Sequence, residues 1–438
     1  MKIRVAIIGS GISGLACGYF LHKNFDVKLY DKNDHVGGHS LTATATEGEN
    51  LIPIDMGFMV FNKVTYPNLT RLFDTLNVAY ENSYMSFSVQ HVPENIEYCG
   101  KSINHLFAQR VNLLKLRHWK MLLRINRFNK EAKDALITND YNDLTLREYV
   151  EKRNYGRDFL NLYIIPMSSA IWSSPPHQML NFPAITLLRF FDNHGFLGMK
   201  TQHQWLTPTG GSKEYVKILT SGFKDKISNS NEVSMIKNCN DGVEIFFKNG
   251  GSEYFDKVIL ACHADQALNL LKPIRNTNFD LLKHFKYQKN TGTLHTDASV
   301  MPTNQKCWAS WNYRIKMGDN GKYIPRTTYW MNSLQNVSQK KNYFVSINGE
   351  DEIENSTVIK RVNFEHPLFD SNSIKAQSKL KNLNTLSNKQ NIFLCGSYFK
   401  YGFHEDALNS AINVSEILLK KSCLLYTSDA ADEGLGVD

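Results

Sequence analysis

Three glycines near the start constrain this chain more than any later feature. Val5-Ala6-Ile7-Ile8 is an apolar, β-branched strand, and Gly9-Ser10-Gly11-Ile12-Ser13-Gly14 follows it into a helical pattern carrying Leu15, Tyr19 and Phe20. A second strand, Val27-Lys28-Leu29-Tyr30, ends on Asp31. Strand, glycine turn, helix and strand make a βαβ unit. In such a unit Gly9 permits the tight turn, Gly11 lets a diphosphate approach the backbone, and Gly14 lets the helix press on the sheet. The first N–H groups of the helix have no partner within it, and its dipole favours negative charge at that end. Asp31 stands 22 positions after Gly9, close to the roughly 20 expected of a carboxylate that binds ribose hydroxyls. Glycines also mark ordinary turns, so it is the flanking strand, helix and acid that decide for a dinucleotide. NAD and FAD share an adenosine diphosphate half, and the motif does not choose between them.

The 438 residues leave room for two or three domains, and 42% hydrophobic with 21% charged residues is ordinary globular composition. No apolar stretch approaches the 18 or so residues of a spanning helix. Met1-Lys2-Ile3-Arg4 leads straight into the first strand, with no secretory h-region. Seven scattered cysteines form no C-x-x-C pair, which suits reduced thiols in a bacterial-type cytoplasm. The net charge is +8, yet no nucleic-acid module is present, so nucleic acid is not an expected partner. The cations concentrate between Arg110 and Lys130. From His105 to Leu136 apolar residues (Val111, Leu114, Trp119, Leu122, Ile125) alternate with basic ones at helical period. Such a helix can lie on an anionic membrane, or it can be a surface helix with a solvated cationic face; both readings stand. Residues 423–438 resemble the in-frame translation of a transposase adapter used in sequencing libraries, so the natural chain is expected to be cut off near Ser422. Removing the four acids of that tail raises the net charge to +12.

Further along, Val36-Gly37-Gly38-His39 follows the second strand, and Ile54-Asp55-Met56-Gly57-Phe58 follows a threonine-rich segment. Residues 66–78 have helical period, and residues 102–200 are mainly helical. Asp241-Gly242 and Asn249-Gly250 are hairpin turns flanking Val243-Glu244-Ile245-Phe246-Phe247. This predicts a three-stranded meander ahead of a buried parallel strand, Lys257–Ala261. Short aromatic-rich strands over 285–365 suggest a second sheet flooring a cavity. Ile392-Phe393-Leu394-Cys395-Gly396 and a helix from about Asp406 to Lys420 close the chain. His404-Glu405 lacks the second histidine of a zinc helix, and Gly100-Lys101-Ser102 lacks the first glycine of a P-loop; no metal site is expected.

This order of motifs resembles the flavin amine oxidase and phytoene desaturase superfamily. It is most similar there to bacterial predicted NAD/FAD-binding proteins encoded beside cyclopropane-fatty-acid synthases. The matching stretches include Ile54–Phe58 through Leu69, Ile165–Ser173, Leu294–Asp297 and Tyr401–Asp406. The resemblance implies an α/β fold: a Rossmann-like FAD-binding domain of glutathione reductase type with an inserted β-meander (1–75, 201–275 and 386–422), plus a discontinuous α+β substrate domain (76–200 and 276–385). It implies FAD as cofactor, held by Gly9, Gly11, Gly14, Asp31, Gly37, Gly38, His39, Gly57, Val233, Gly396, His404, Glu405 and Asp406. Amine oxidases carry Arg where His39 stands. Ala407 and Ala411 fall where relatives commonly have glycine.

A flavin accepts electrons when a C–H bond is held over it in a dry cavity. Cavity-wall candidates are Ile165 to Trp172, His295, Trp311, Tyr329-Trp330, Tyr398 and Phe403. His295, Tyr398 and Phe403 are the candidates for catalysis, although His295 reads slightly better as a hydrogen-bonded core histidine than as an acid/base. The resemblance points to an FAD-dependent oxidoreductase acting on a lipid or fatty-acyl chain. Alternatives are a double-bond isomerase, an amine oxidase with Lys289 as the lysine candidate, and a non-catalytic flavoprotein partner of a cyclopropane-fatty-acid-synthase-like methyltransferase. A cytoplasmic location with peripheral contact to anionic membrane follows from the same reading.

Overall fold

The structure is a computed structural model that describes residues 2–138, 140–198, 201–274, 277–387, 391–421 and 424–425. The adapter-like tail lies outside these apart from Leu424 and Leu425. Five parallel strands form one sheet, in the order Ile392–Leu394, Lys257–Leu260, Arg4–Ile8, Asp26–Tyr30, Ile227–Ser228. The first strand sits at its centre and is almost wholly buried, which is why it is a continuous apolar run rather than an alternating one. Helix Ile12–Leu21 returns across one face. It packs closely because a Cβ on Gly14 would lie 1.9 Å from the Gly9 carbonyl oxygen. The closing helix, His404–Leu419, lies beside it, with Ala411 O 3.8 Å from the Cys17 sulfur.

The meander is as the hairpin signals predict: Val233–Asn238, Val243–Phe247 and Ser252–Phe255 pair antiparallel in sequence order. A second, seven-stranded sheet runs Val358–Leu368, Lys286–His295, Phe344–Ile347, Tyr323–Trp330, Trp311–Met317, Phe87–His91, Ile96–Cys99. It is mixed, because Trp311–Met317 pairs parallel with Phe87–His91. Two strands before residue 100 therefore join a sheet otherwise built from residues beyond 285.

One expectation fails. The periodic stretch from His105 to Leu136 is not a single helix but a short helix Ile103–Leu106, a 3-10 turn Arg110–Leu114 and a long helix Leu116–Thr138. The break is stable because side chains serve the carbonyls that a continuous helix would have used. Trp119 Nε1 donates to Leu113 O at 2.9 Å, and His118 Nε2 to Leu106 O at 3.1 Å.

Asp55 ties the pieces together. It ends the hairpin of Thr42–Glu47 and Asn50–Asp55 and is fully buried. Its carboxylate accepts from Thr42 Oγ1 (2.6 Å), from Ser212 N and Oγ (2.9 and 2.7 Å) and from Gln335 Nε2 (2.7 Å). Ser212 opens the helix Lys213–Thr220, and Gln335 follows the second sheet's strand Tyr323–Trp330. Burial pushes the Asp55 carboxyl above its ordinary range, against the pull of these donors. Asp55→Ala strands several buried donors at about 1–3 kcal/mol each. A loss of at least ~3 kcal/mol in urea unfolding is expected, and an unchanged midpoint would show that the hub is dispensable.

Candidate functional site

The glycine turn is built to leave room. Gly9 adopts φ +108°, and a Cβ on it would meet Ala261 O at 2.7 Å. Gly11 differs: a Cβ there would meet nothing within 4 Å. The chain's own packing does not require glycine at that position, and its absent side chain leaves the backbone there open to close approach. Helix Ile12–Leu21 has no side-chain cap and no acid in its first turn, so its end N–H groups and partial positive charge face outward unneutralised. This suits a diphosphate. The second glycine pair stands directly against the first: Gly37 N donates to Ser10 O at 3.0 Å, and a Cβ on Gly38 would lie 3.0 Å from Gly11 Cα. Gly37 and Gly38 both have positive φ.

Asp31 is at the expected place and is already engaged. One carboxylate oxygen accepts from Ser10 N (2.7 Å) and Ser10 Oγ (2.6 Å), the other from Asn33 N (2.8 Å) and Asn33 Nδ2 (3.0 Å). All four acceptor sites of the carboxylate are thus filled. Aspartate is one methylene shorter than glutamate, which keeps the group over the turn. A ribose hydroxyl would have to displace the Asn33 amide or the Ser10 hydroxyl to bond it. Val233 begins the meander, buried against the same sheet face as Tyr30, and the ladder shifts register just after it.

His39 is half-buried among other histidines. Its ring centroid lies 5.2 Å from Phe364, 5.4 Å from His366 and 6.4 Å from His263. Burial pushes its pKa well down, and that of His366 to about 4. His366 Nδ1 accepts from Asn290 Nδ2 at 2.8 Å, and His263 stacks on Tyr287 and pairs with Glu365. The sequence reading missed this cluster. Single histidines at 263 and 366 have no spacing that relates them to position 39, and only the fold gathers them.

The motif at the closing helix is mostly self-directed. His404 stacks on Phe58 (3.8 Å, 15°), with Nε2 2.9 Å from Ser40 Oγ and 3.2 Å from Tyr215 OH; burial lowers its pKa to about 3. Glu405 accepts from Asn68 N and Leu69 N, capping the start of helix Pro67–Thr75. Asp406 accepts from Tyr401 N and Phe403 N at its own helix start, and burial raises it to about 7. Gly57 allows a backbone crossing, since its Cβ would lie 2.2 Å from His39 O. Gly396 ends the last strand, its N–H donating to Ser410 Oγ.

The structure does not bring the three catalytic candidates together. His295 is fully buried in the second sheet. Its Nδ1 accepts from Asp297 N (3.2 Å), so Nε2 carries the proton toward Ser346 Oγ (2.9 Å). Burial lowers its pKa to about 4, and the ring is satisfied as a core histidine. Tyr398 packs with Phe285 and Phe399 in the core beneath the parallel sheet, its hydroxyl buried without a partner and its pKa pushed well up by burial. Phe403 alone borders an aromatic wall, 5.2 Å from Phe190 and 6.1 Å from Trp172. Trp172 Nε1 donates to Tyr401 O at 3.2 Å, fixing helix Ile165–Trp172 against the closing helix. On its other side that helix meets Tyr313 and Trp311 through Ala170. Trp330 turns elsewhere, toward Trp308. Lys289 is exposed on its strand, and its charge contributes to lowering the Glu365 carboxyl. Among the described residues no His/Cys/Asp/Glu group is disposed to hold a metal ion, and no helix is long and apolar enough to cross a membrane.

Two measurements test this geometry. Gly11→Ala should leave the melting temperature of cofactor-free protein within a degree or two while weakening flavin uptake at least tenfold; Gly14→Ala should destabilise the fold itself. Equal effects of the two would contradict the assignment of Gly11. Separately, His194, His295 and His366 (about 4) and His404 (about 3) resist protonation in the fold but titrate near 6.5 when unfolded. The unfolded chain binds more protons between those values, so their contribution is complete above pH 6.5 and is lost as pH falls toward 4. Asp406, raised to about 7, has the opposite sign and offsets one of the four. The denaturation midpoint of cofactor-free protein should therefore drop between pH 7 and pH 5.

Comparison with known proteins agrees with this arrangement. Residues 12–351 match the family of flavin containing amine oxidoreductases. No curated protein matches the chain. Similar solved structures include a CLA-producing fatty acid isomerase from P. acnes (14% identity, TM-score 0.65, covering 96% of this chain and 99% of that one). They also include a putrescine oxidase (13%, 0.65, 96% and 100%) and the cyclohexylamine oxidase of Brevibacterium oxydans (14%, 0.65, 96% and 100%). At such identities these likenesses speak for the fold, a parallel Rossmann-like sheet joined to a mixed sheet. The family match, the glycine cradle and the uncapped helix above it agree: this chain belongs to the flavin containing amine oxidoreductases and is an FAD-dependent enzyme.

Proposed function

We propose that the enzyme oxidises a hydrophobic substrate, an unsaturated or modified fatty-acyl chain, with FAD supplying the hydride acceptor. The observation that carries this reading is the composition of the wall between helix Ile165–Trp172, the strand Trp311–Met317 and the start of the closing helix. It is aromatic and aliphatic: Trp172, Phe190, Phe403, Trp311, Ala170 and Tyr313. The nearby acids Glu405 and Asp406 are spent on backbone N–H groups. The polar exception is Ser169 with Tyr313, whose buried hydroxyls adjoin each other and reach no further partner. An apolar wall with one small polar pair suits an acyl chain with a carbonyl or carboxyl end.

In this proposal residues 1–75, 201–275 and 386–422 form the cofactor-holding part, and 76–200 with 276–385 the substrate part. Gly9, Gly11, Gly14, Gly37 and Gly38 cradle the diphosphate, with neutral His39 beside them, and Asp31 and Val233 serve the adenosine half. Gly57, Gly396 and the 404–406 segment set the closing helix, whose N-terminus would stabilise negative charge on the reduced ring. Phe403 keeps its place beside substrate; His295 and Tyr398 act through packing.

A second reading, double-bond isomerisation without net redox, draws support from the fold it shares with the fatty acid isomerase. Amine oxidation loses support with Lys289 exposed. A non-catalytic flavoprotein partner of a lipid methyltransferase would show turnover only when that methyltransferase is added. Anaerobic mixing with mono- and polyunsaturated acyl lipids should bleach the flavin; bleaching by primary amines and not by lipids overturns the proposal. A shifted double bond with no acceptor consumed selects isomerisation. Ser169→Ala with Tyr313→Phe should raise KM for the acyl lipid about tenfold, the worth of one or two hydrogen bonds, with kcat little changed.

A further inference from the structure

The exposed apolar side chains of this protein are not scattered. Among the described residues, seventeen large hydrophobic side chains are exposed, and seven of them fall between positions 103 and 123. Ile103 is one; Val111, Leu113, Leu114, Leu116, Trp119 and Leu123 are the others, with Leu114 89% and Leu116 67% exposed. The same stretch is cationic throughout. Positions 101–130 hold eight lysines and arginines and no acid at all.

The fold makes this a rigid surface. Helix Leu116–Thr138 buries His118, Met121, Phe128, Ala132 and Ala135 on its inner face. Leu116, Trp119 and Leu123 are left on the outer face, with Lys120 and Arg127. The 3-10 turn Arg110–Leu114 is fastened to the helix by the Trp119 indole, which donates to Leu113 O and packs 4.8 Å from Phe107. Arg117 is committed to Glu94 and Asp158, and Arg127 to Glu131. Lys115, Lys120 and Lys130 form no ion pair with described residues. An apolar tip flanked by uncompensated lysines, with a tryptophan at the boundary, is the composition of a surface that enters a bilayer interface.

We propose that this face docks on an anionic lipid bilayer, with the Leu113–Leu116 tip inserted among headgroups and the lysines against acidic lipid. Charge selects this occupant over a second copy of the chain. A two-fold self-contact would bring two such faces together and oppose lysine to lysine, since the adjoining acids Glu94, Asp158 and Glu131 are already paired with Arg117 and Arg127. A lipid surface supplies the missing sign. The proposal stands apart from the substrate reading, because docking requires no turnover.

The test is co-sedimentation of the flavin-loaded protein with vesicles of phosphatidylcholine alone or with 30% phosphatidylglycerol, about the acidic fraction that gives a clear surface potential. Binding to the acidic vesicles only is expected. It should weaken at least tenfold in Leu114→Asp/Leu116→Asp and fall in 0.5 M salt, roughly where screening reduces the Debye length to a few ångströms. Both leucines lie outside the core, and Lys115→Glu/Lys120→Glu gives a second variant that leaves apolar packing alone. Failure of the wild type to bind, or equal binding by both variants, overturns the proposal. So does a wild-type dimer that the leucine variant dissociates without any vesicle binding. A lipid-docked protein that bleaches with no acyl lipid would leave docking intact and remove only the substrate reading.

Discussion

The contact on which the rest depends is between two pieces of backbone. The first helix can lie against the first strand only because Gly14 has no side chain to meet the Gly9 carbonyl, 1.9 Å from where a Cβ would sit. That approach fixes the direction of the helix, and so where its uncapped N-terminus points. The closing helix packs on the first through Cys17 and Ala411, and the Gly37-Gly38 loop rests on Ser10 and Gly11. A wider spacing at Gly14 would displace three elements at once, and the cradle is made of their ends.

Four acids of the fold share one habit. Asp31, Asp55, Glu405 and Asp406 each accept backbone N–H groups from a turn or a helix start. Desolvating a carboxylate is expensive unless donors replace the lost water, and loop N–H groups need acceptors as much as carboxylates need donors. Each acid therefore locks a loop. The histidines meet the same pressure differently: burial keeps His39, His366 and His404 neutral. Helix ends then supply positive potential at the site that needs no protonated histidine.

How much of this was legible follows from the range of the interactions. The βαβ unit, the meander and the closing strand and helix are written in local signals: a glycine turn, hairpin dipeptides at 241–242 and 249–250, apolar runs. The cofactor side was legible because its glycines sit in short motifs. The second sheet was half legible. Its aromatic strands beyond 285 could be seen, but nothing local says that Phe87–His91 joins them in parallel at Trp311–Met317. The break at 107–115 was hidden because Arg110–Leu114 keeps helical alternation while Trp119 and His118 satisfy the carbonyls from outside. Grouping His295, Tyr398 and Phe403 rested on residue type. Strand register sends His295 to Ser346, and packing below the parallel sheet takes Tyr398.

Asp406 shows how far these constraints reach into chemistry. An ionised carboxylate in a helix's first turn offsets the partial positive charge there, which would weaken the one electrostatic device the closing helix offers. Burial raises Asp406 to about 7, so near neutral pH the group is only partly ionised. A protonated carboxyl still accepts the Tyr401 and Phe403 N–H groups on its carbonyl oxygen and so keeps the turn shut. The loop is held by an acid whose charge burial partly suppresses, and the helix end keeps more of its positive potential as a result. Burial at the helix start is thus part of the electrostatics of the site, because it sets the charge state of the residue that caps it.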